Sequence, residues 1–521
     1  MTSAARNIQR TTIVLALLVF LSKIIGFGRE MIIAYRFGTG IEYDTYLIAI
    51  SIPVALYTLI GYAFTNLFIP AYTQAAVAEN RKAAFHTLAV RFTVSLGAAA
   101  IGMLAIIAIA PHLLRLIAPG LPDDHLAEAV LITRVSSVII LFAVLEAYFR
   151  SALNAEKRFL LPAGAPIMAN IVMIATIVLF AGRLSTRAVL WGLVLGYLVQ
   201  VAVNFIPFRR LGVDTISLRI RLEKKMGSFF SAAAVILLIE SAWQLYALVD
   251  RYYASSMPAG IVSALGYSYL LIMIPVSILA YALSTVLFPY LSEAVARNDP
   301  AQTAHLLERG ITVSLLLAVP AAIIYWVYCE PLVTVFFRRG EFDRQSVAYT
   351  SVLLKYAAPG LAGQFLVWIM SRAFYAAGRN LMLLWLVAGA VAVKIAATAV
   401  LVGPFGFAGL AASSSLSYSV GGILCVAVAA IYVARIDGRV LLIYVVKLGI
   451  AGLAAWGAAW GLTRFIPVNR GEFGPSALAL ILGSAVTLLV FGAIGYLMNI
   501  ADVRSLPNLL TYKRRNDGLA R

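Results

Sequence analysis

The sequence predicts an all-α, polytopic membrane protein of about 14 transmembrane helices, built as two pseudo-symmetric six-helix lobes plus two C-terminal helices. Three observations carry the prediction. Of 521 residues, 62% are hydrophobic and only 12% charged, with a mean hydropathy of +0.92, which is more apolar surface than a soluble chain of this length could hide. The apolar residues gather in runs of the roughly 20 residues that a helix needs to cross a bilayer. The chain also repeats itself: Ile52-Pro53-Val54 returns 222 residues later as Ile274-Pro275-Val276, Thr93-Val94-Ser95-Leu96 is echoed by Thr312-Val313-Ser314-Leu315, and Arg150 and Lys157 precede Arg372 and Arg379 by the same 222. Two related membrane lobes form the usual frame of a transporter whose site lies between repeats.

In chain order the apolar segments fall near 12–37, 44–67, 83–110, 127–153, 159–182 and 188–208, then 227–250, 260–290, 311–337, 348–376, 381–402 and 407–434, and finally 440–466 and 475–500. Only helices and closed barrels satisfy their backbone in lipid, and unbroken runs such as Leu96 to Ala110 lack the alternation of barrel strands. The first segment follows Arg6 and Arg10 without a small-residue cleavage site, so it reads as an uncleaved span. The second and eighth carry Pro53 and Pro275, each of which frees a backbone carbonyl and bends its helix. These prolines are candidate hinges, with a fixed kink as the alternative. The fourth and tenth end in Arg150 and Arg372, repeat mates that read as topology signals rather than ligands, while Arg134 and Lys355 lie near span ends where snorkelling accounts for them.

These segments divide the chain into an N-lobe (1–208), a basic cytoplasmic linker (209–226), a C-lobe (227–434), a C-terminal pair of spans (435–500) and a basic cytoplasmic tail (501–521). With the N-terminus inside, the inner loops hold more than twice as many Lys and Arg as the outer ones, which places both termini in the cytoplasm. The outer stretch Arg338 to Arg344 is the point where this topology is weakest. The net charge of +18 is spread over membrane-flanking loops, where it faces anionic headgroups, and so does not point to nucleic acid.

Several chemistries are missing. Cys329 and Cys425 sit far apart in apolar segments, the four histidines show no metal-ligand spacing, and no phosphate loop of the nucleotide-binding type is present. An enzyme, a metal site, a cofactor and an ATP-driven pump therefore have little support.

Charges inside spans cost about 2.5–3.5 kcal/mol each and mark function by default. Ser22-Lys23-Ile24-Ile25-Gly26-Phe27-Gly28-Arg29-Glu30 puts three charges and two glycines into one apolar helix. Lys23 and Arg29 are candidate grips for the phosphate oxygens of an anionic lipid. Glu30 either shares that site or only neutralises a neighbouring cation. Gly26 and Gly28 allow a bend and the close approach of a partner. Lys394 lies deep in the eleventh segment, ~12 Å from its outer end by helical rise, and Glu240 in the seventh is the acid that could pair with it, as a coupling switch or as a structural lock.

The first of these motifs, followed by Phe37-Gly38-Thr39-Gly40 and Tyr43-Asp44-Thr45-Tyr46, resembles the opening of the MurJ (MviN) lipid II flippases. Asp250-Arg251-Tyr252-Tyr253-Ala254-Ser255 and Thr285-Val286-Leu287-Phe288-Pro289 extend the likeness, which covers most of the chain and weakens after about residue 435. That family belongs to the MOP superfamily, with Wzx-type oligosaccharide flippases and MATE exporters. The resemblance implies two lobes around a cationic cavity that opens to each side in turn, with the last two helices forming a groove for a polyprenyl tail. The implied cargo is a saccharide on undecaprenyl pyrophosphate. Arg29 matches an arginine that the family needs, Lys23 takes the place of another, and Asp44 matches its acidic position, so Lys23, Arg29, Glu30 and Asp44 are the expected substrate-binding residues. Two family arginines, just after the proline of the second helix and five residues before that of the eighth, are replaced here by Val54-Ala55-Leu56-Tyr57 and Tyr267-Ser268-Tyr269-Leu270. Some relatives hold sodium between the seventh and eleventh helices; Lys394 and Thr398 fall at those positions, and a tethered ammonium there would replace the metal.

The expected function is thus transfer of a polyprenyl-linked saccharide, foremost lipid II, across a bacterial cytoplasmic membrane by a monomer. Membrane lipids, and cell-wall synthesis proteins, are the other expected partners. A Wzx-type flippase for another glycan, a MATE-like drug exporter and a non-transporting cell-wall scaffold are the alternatives.

Overall fold

A computed structural model describes residues 3–78, 81–211, 226–465 and 472–500. Most of the predicted linker and the whole predicted tail lie outside the described residues. The helices, numbered in chain order, are α1 (Ser3–Phe37), α2 (Ile41–Ala78), α3 (Arg81–Ile117), α4 (Asp123–Ser136), α5 (Ile139–Ala155), α6 (Leu160–Leu184), α7 (Thr186–Arg209), α8 (Met226–Ala254) and α9 (Ile261–Pro275). A π-helical turn, Val276–Ala280, leads into α10 (Tyr281–Ala296). Then follow α11 (Pro300–Val327), α12 (Cys329–Phe337), α13 (Arg344–Ala357), α14 (Gly360–Ala376), α15 (Asn380–Phe405), α16 (Ala408–Tyr432), α17 (Gly438–Leu462) and α18 (Phe473–Leu497). No strand occurs among the described residues.

Each of the 14 predicted segments falls on helix. By length and apolarity 11 are membrane-spanning, or 12 if α13 and α14, bent by 56° at their junction, count as one. The two predicted spans outside that number fall in α1, whose apolar stretch holds Lys23, Arg29 and Glu30, and in α8.

The chain divides into two compact units, Met1–Ser263 with Arg339–Asp343, and Ala264–Arg338 with Arg344–Arg521. In the first unit α1 packs on α6, α2 on α3, α4, α5 and α8, and α5 on α7. Its core is aromatic: Phe92 of α3 stacks on Tyr148 of α5 at 4.2 Å between centroids, with Phe149 and Phe208 beside them. The segment 339–343 closes on the end of α1, where the Glu341 amide donates to Tyr35 O at 2.9 Å. Gly340 there has φ +58, and a Cβ on it would stand 2.3 Å from Tyr35 O, so only glycine fits. The loop at which the predicted topology was weakest is therefore tied to the C-terminal end of α1.

In the second unit α14 packs on α16, α15 on α16, and α11 on α14 and α17. Small residues let these backbones approach, as in other membrane bundles: a Cβ on Gly422 would stand 2.8 Å from Gly363 O. Tyr328, between α11 and α12, holds the C-terminal pair. Its hydroxyl donates to Ala459 O of α17 at 2.9 Å, and its ring lies against Gly483 of α18, where a Cβ would meet Cζ at 2.1 Å. Gly483→Val is expected to cost about 1–3 kcal/mol by overpacking, seen as a lower melting temperature of the purified protein. Gly492→Val, on the same helix with open space around it, should leave melting unchanged.

Candidate functional site

Arg29 is held on three sides. Its Nε donates to Glu30 Oε1 at 3.1 Å and Nη2 donates to the same oxygen, while Nη1 donates to Asn170 Oδ1 of α6 at 2.9 Å and approaches Met173 Sδ at 3.4 Å. Gly26, one turn away, faces Asn170 without being required for it: a Cβ there would sit at an ordinary contact distance of 3.6 Å from Nδ2. Gly28 has nothing within 4 Å, and α1 runs as one helix from Ser3 to Phe37. The acid in this motif thus pairs with Arg29, and Lys23 is exposed with no ion pair among the described residues. Asn170 was not singled out in the sequence, although a lone amide in an apolar span is a visible signal.

The same unit carries a second polar group that the sequence reading passed over. Tyr46 and Tyr197 lie within electrostatic reach of Arg29, and Tyr197 packs against Tyr57 at 4.1 Å between ring centroids. Gln200 Nε2 donates to the Tyr57 hydroxyl at 3.4 Å. Beyond Tyr57 are Glu146, 4% exposed, and Arg150, whose Nε stands 3.1 Å from Glu146 Oε1. An acid four residues before an arginine on an apolar helix is a pair legible from spacing. The reading of Arg150 as a topology signal had set it aside.

Asp44, the family's acidic position, has a defined task. Its Oδ2 accepts from the Gly260 amide and its Oδ1 from the Ser263 amide, both at 2.7 Å, so the carboxylate caps the start of α9. Gly260 takes φ +94 to present its amide.

At the two candidate hinge prolines the freed carbonyls have partners. A proline leaves the carbonyl four residues earlier without its helical donor. For Pro53 that is Ala49 O, which accepts from the Thr133 hydroxyl at 2.9 Å. For Pro275 it is Leu271 O, which accepts from the Tyr325 hydroxyl at 3.0 Å. Arg134 is not simply snorkelling, since its Nε donates at 3.1 Å to Ile107 O, the carbonyl freed by Pro111.

Lys394 is fully buried, with its ammonium donating to Leu410 O at 2.9 Å, Ser413 Oγ at 3.0 Å and Ser414 Oγ at 2.7 Å. Thr398 Oγ1 donates to Ser413 Oγ at 2.9 Å. Glu240 is half-buried in α8 of the first unit, whereas Lys394 belongs to the second. No group of three or more His, Cys, Asp or Glu suited to a metal occurs among the described residues.

A many-span helical protein of two units, with arginine and acid clusters held inside its spans, has the make-up of a membrane transporter. The sequence profile described as lipid II flippase MurJ matches residues 33–482. Lipid II flippase MurJ of Burkholderia cenocepacia is 30% identical over 379 residues, covering 71% of this chain and 73% of that protein. A probable lipid II flippase MurJ of Buchnera aphidicola is 28% identical over 387 residues, again 71% and 73%. In fold, the chain is similar to a solved lipid II flippase MurJ in an inward closed conformation, with TM-score 0.80 at 19% identity over 94% of this chain and 100% of the other. It is also similar to an inward-facing MATE transporter of the MOP superfamily, with TM-score 0.67 at 13% identity over 81% and 98%. The chain belongs to the lipid II flippase MurJ family.

Two predictions follow from this geometry. Tyr325→Phe and Thr133→Val each strip a donor from a proline-freed carbonyl, and each is expected to cost about 1–3 kcal/mol, read as a lower melting temperature than for substitution of a lipid-facing tyrosine. An ammonium already bonded to the oxygens around Lys394 leaves them little to offer a sodium ion, so melting in sodium chloride and in choline chloride should coincide. Sodium-dependent stabilisation lost on substituting Glu240 or Thr398 would contradict this.

Proposed function

We propose that this chain moves lipid II from the inner to the outer leaflet of the bacterial cytoplasmic membrane by alternating access, with both termini cytoplasmic. The observation that carries the reading is family membership over residues 33–482, joined to a guanidinium, Arg29, held inside a span by Glu30 and Asn170. Arginine in that setting suits a pyrophosphate, whose oxygens accept paired N–H donors. Lys23, exposed on the same helix, supplies a second cation, and Glu30 keeps Arg29 aimed while the site is empty.

In this scheme substrate charge offsets the cations of the inward-open state and favours closure. The return is driven by the membrane potential acting on the empty cationic site, worth about 2.3 kcal/mol per charge per 100 mV across the full field. Asp44 fastens α2 to the start of α9, and Glu240 and Lys394 are the candidate coupling residues, as a switch or as a structural lock. The protein acts as a carrier rather than an enzyme, as a monomer, with cell-wall synthesis proteins as its neighbours. The replacement of two family arginines at Leu56-Tyr57 and Leu270 is what favours another polyprenyl-linked glycan as the second reading.

The test is exposure of lipid II on the outer leaflet of cells depleted of their own flippase and expressing this chain. Wild type is expected to restore exposure and Arg29→Ala to reduce it at least about tenfold. Failure of inserted, folded wild type to restore exposure would shift the assignment to another lipid-linked glycan. Normal transport by Arg29→Ala and Lys23→Ala would remove these residues from the site.

A further inference from the structure

Arg29, the expected phosphate ligand, has its donors engaged by Glu30, Asn170 and Met173. Arg150 differs. Among the described residues its one ion-pair partner is Glu146, whose Oε1 stands 3.1 Å from a buried Nε that makes no hydrogen bond, and neither terminal nitrogen donates a hydrogen bond. The Arg150 side chain is 30% exposed, whereas that of Glu146 is 5% exposed, so the acid is sealed behind and the open fork of the guanidinium is turned outward. The fork stands beside α2: Nη2 lies 3.9 Å from the place of a Cβ on Gly61, and the Tyr57 hydroxyl is within its field. A Cβ at Gly61 would meet Nη2 only at ordinary contact distance, and Gln200 Nε2 donates to the Tyr57 hydroxyl at 3.4 Å.

The second repeat lacks the arrangement. At the same offset of 222, Arg150 corresponds to Arg372, but Glu146 corresponds to Trp368, Tyr57 to Leu279, Gly61 to Leu283 and Gln200 to Gly422. An architecture needing arginine at that helix end only for topology would not require the buried acid or the tyrosine. The guanidinium reaches this stretch of α2 from α5.

We infer that Arg150, positioned by Glu146 and presented across Gly61 and Tyr57 of α2, is a phosphate-binding residue that takes a pyrophosphate oxygen of the substrate through its two free terminal nitrogens. The inference rests on the flippase reading. Arg150 lies near the C-terminal end of α5, on the side assigned to the cytoplasm, so it meets the headgroup at the inner leaflet before Arg29 does. Binding leaves the Nε–Glu146 contact in place, because the anion uses the opposite edge of the guanidinium. No proton or covalent bond moves in this step.

The test is binding of radiolabelled farnesyl pyrophosphate to the full chain in phosphatidylcholine nanodiscs. Arg150→Gln is expected to weaken binding about tenfold, Arg150→Lys by less, and Arg372→Gln within about threefold. Glu146→Gln should bind as tightly as wild type or more tightly, since it removes a competing negative charge. Unchanged affinity in Arg150→Gln would overturn the inference and leave the flippase reading standing, as would an equal loss in Arg372→Gln. Loss in Glu146→Gln as large as in Arg150→Gln would make the pair a structural lock. If Arg150→Gln does not fold, Arg150→Lys and Glu146→Gln decide: wild-type affinity in the first or a tenfold loss in the second overturns the inference. Displacement of the probe by an equal mole fraction of phosphatidylglycerol would reveal a general headgroup site and overturn it too. Absence of binding by wild type would overturn the flippase reading and this inference together.

Discussion

Inside a bilayer a backbone carbonyl without a donor has no water to turn to, and this constraint shapes the bundle more than any single contact. Pro53, Pro111 and Pro275 would each leave an orphaned carbonyl, and each orphan is met from a neighbouring helix, by Thr133, Arg134 and Tyr325 respectively. Thr133 and Arg134 are consecutive residues of α4, yet one reaches α2 and the other α3, because successive residues on a helix point about 100° apart. A short helix of modest apolarity thereby fastens two long ones at their bends. The prolines give shape to the spans, and the donors opposite them let that shape survive in lipid.

The same constraint sorts the buried charges by how much of each is spoken for. Lys394 is closed in by two serine hydroxyls and a carbonyl and has no exposed surface. Arg29 is engaged by Glu30 and Asn170 but still about a quarter exposed. Arg150 keeps its outer edge unoccupied. A cation that is sealed contributes to structure, one that is held and open can exchange partners, and one that is tethered from behind can bind without rearranging. Such a gradient within one protein is more informative than the presence of intramembrane charge, which insertion energetics alone flags without distinction.

What could be read from the chain follows from the range of the interactions involved. Helix positions, the repeat and the kink sites depend on runs and spacings within a segment, so Pro53, Pro275 and the motif around Arg29 were visible. Asp44 was visible only through resemblance, because its partners, the Gly260 and Ser263 amides, lie more than two hundred residues away and a backbone amide leaves no mark in a sequence. Thr133 was hidden for a related reason, and the amide of Asn170 was visible while its partner was not: the value of each lies in which helix faces it. The setting of Arg150 was easy to overlook because a basic residue near a helix end has an ordinary explanation, and what marks it out is an acid one turn earlier.

The two repeats answer their shared proline differently, and that difference bears on where the protein bends. After Pro275 the chain takes a π-helical turn, Val276–Ala280, before α10 resumes. After Pro53 α2 continues without interruption, and Thr58 Oγ1 even returns to Val54 O at 2.9 Å within the next turn. A π turn carries poorer backbone geometry and accommodates an extra residue, and it recurs where helices must deform in function. A regular α-helix pinned by Thr133 resists the same deformation. The two candidate hinges therefore differ in local backbone: Pro275 leads into a π turn, whereas Pro53 sits in continuous α-helix with its freed carbonyl held by Thr133.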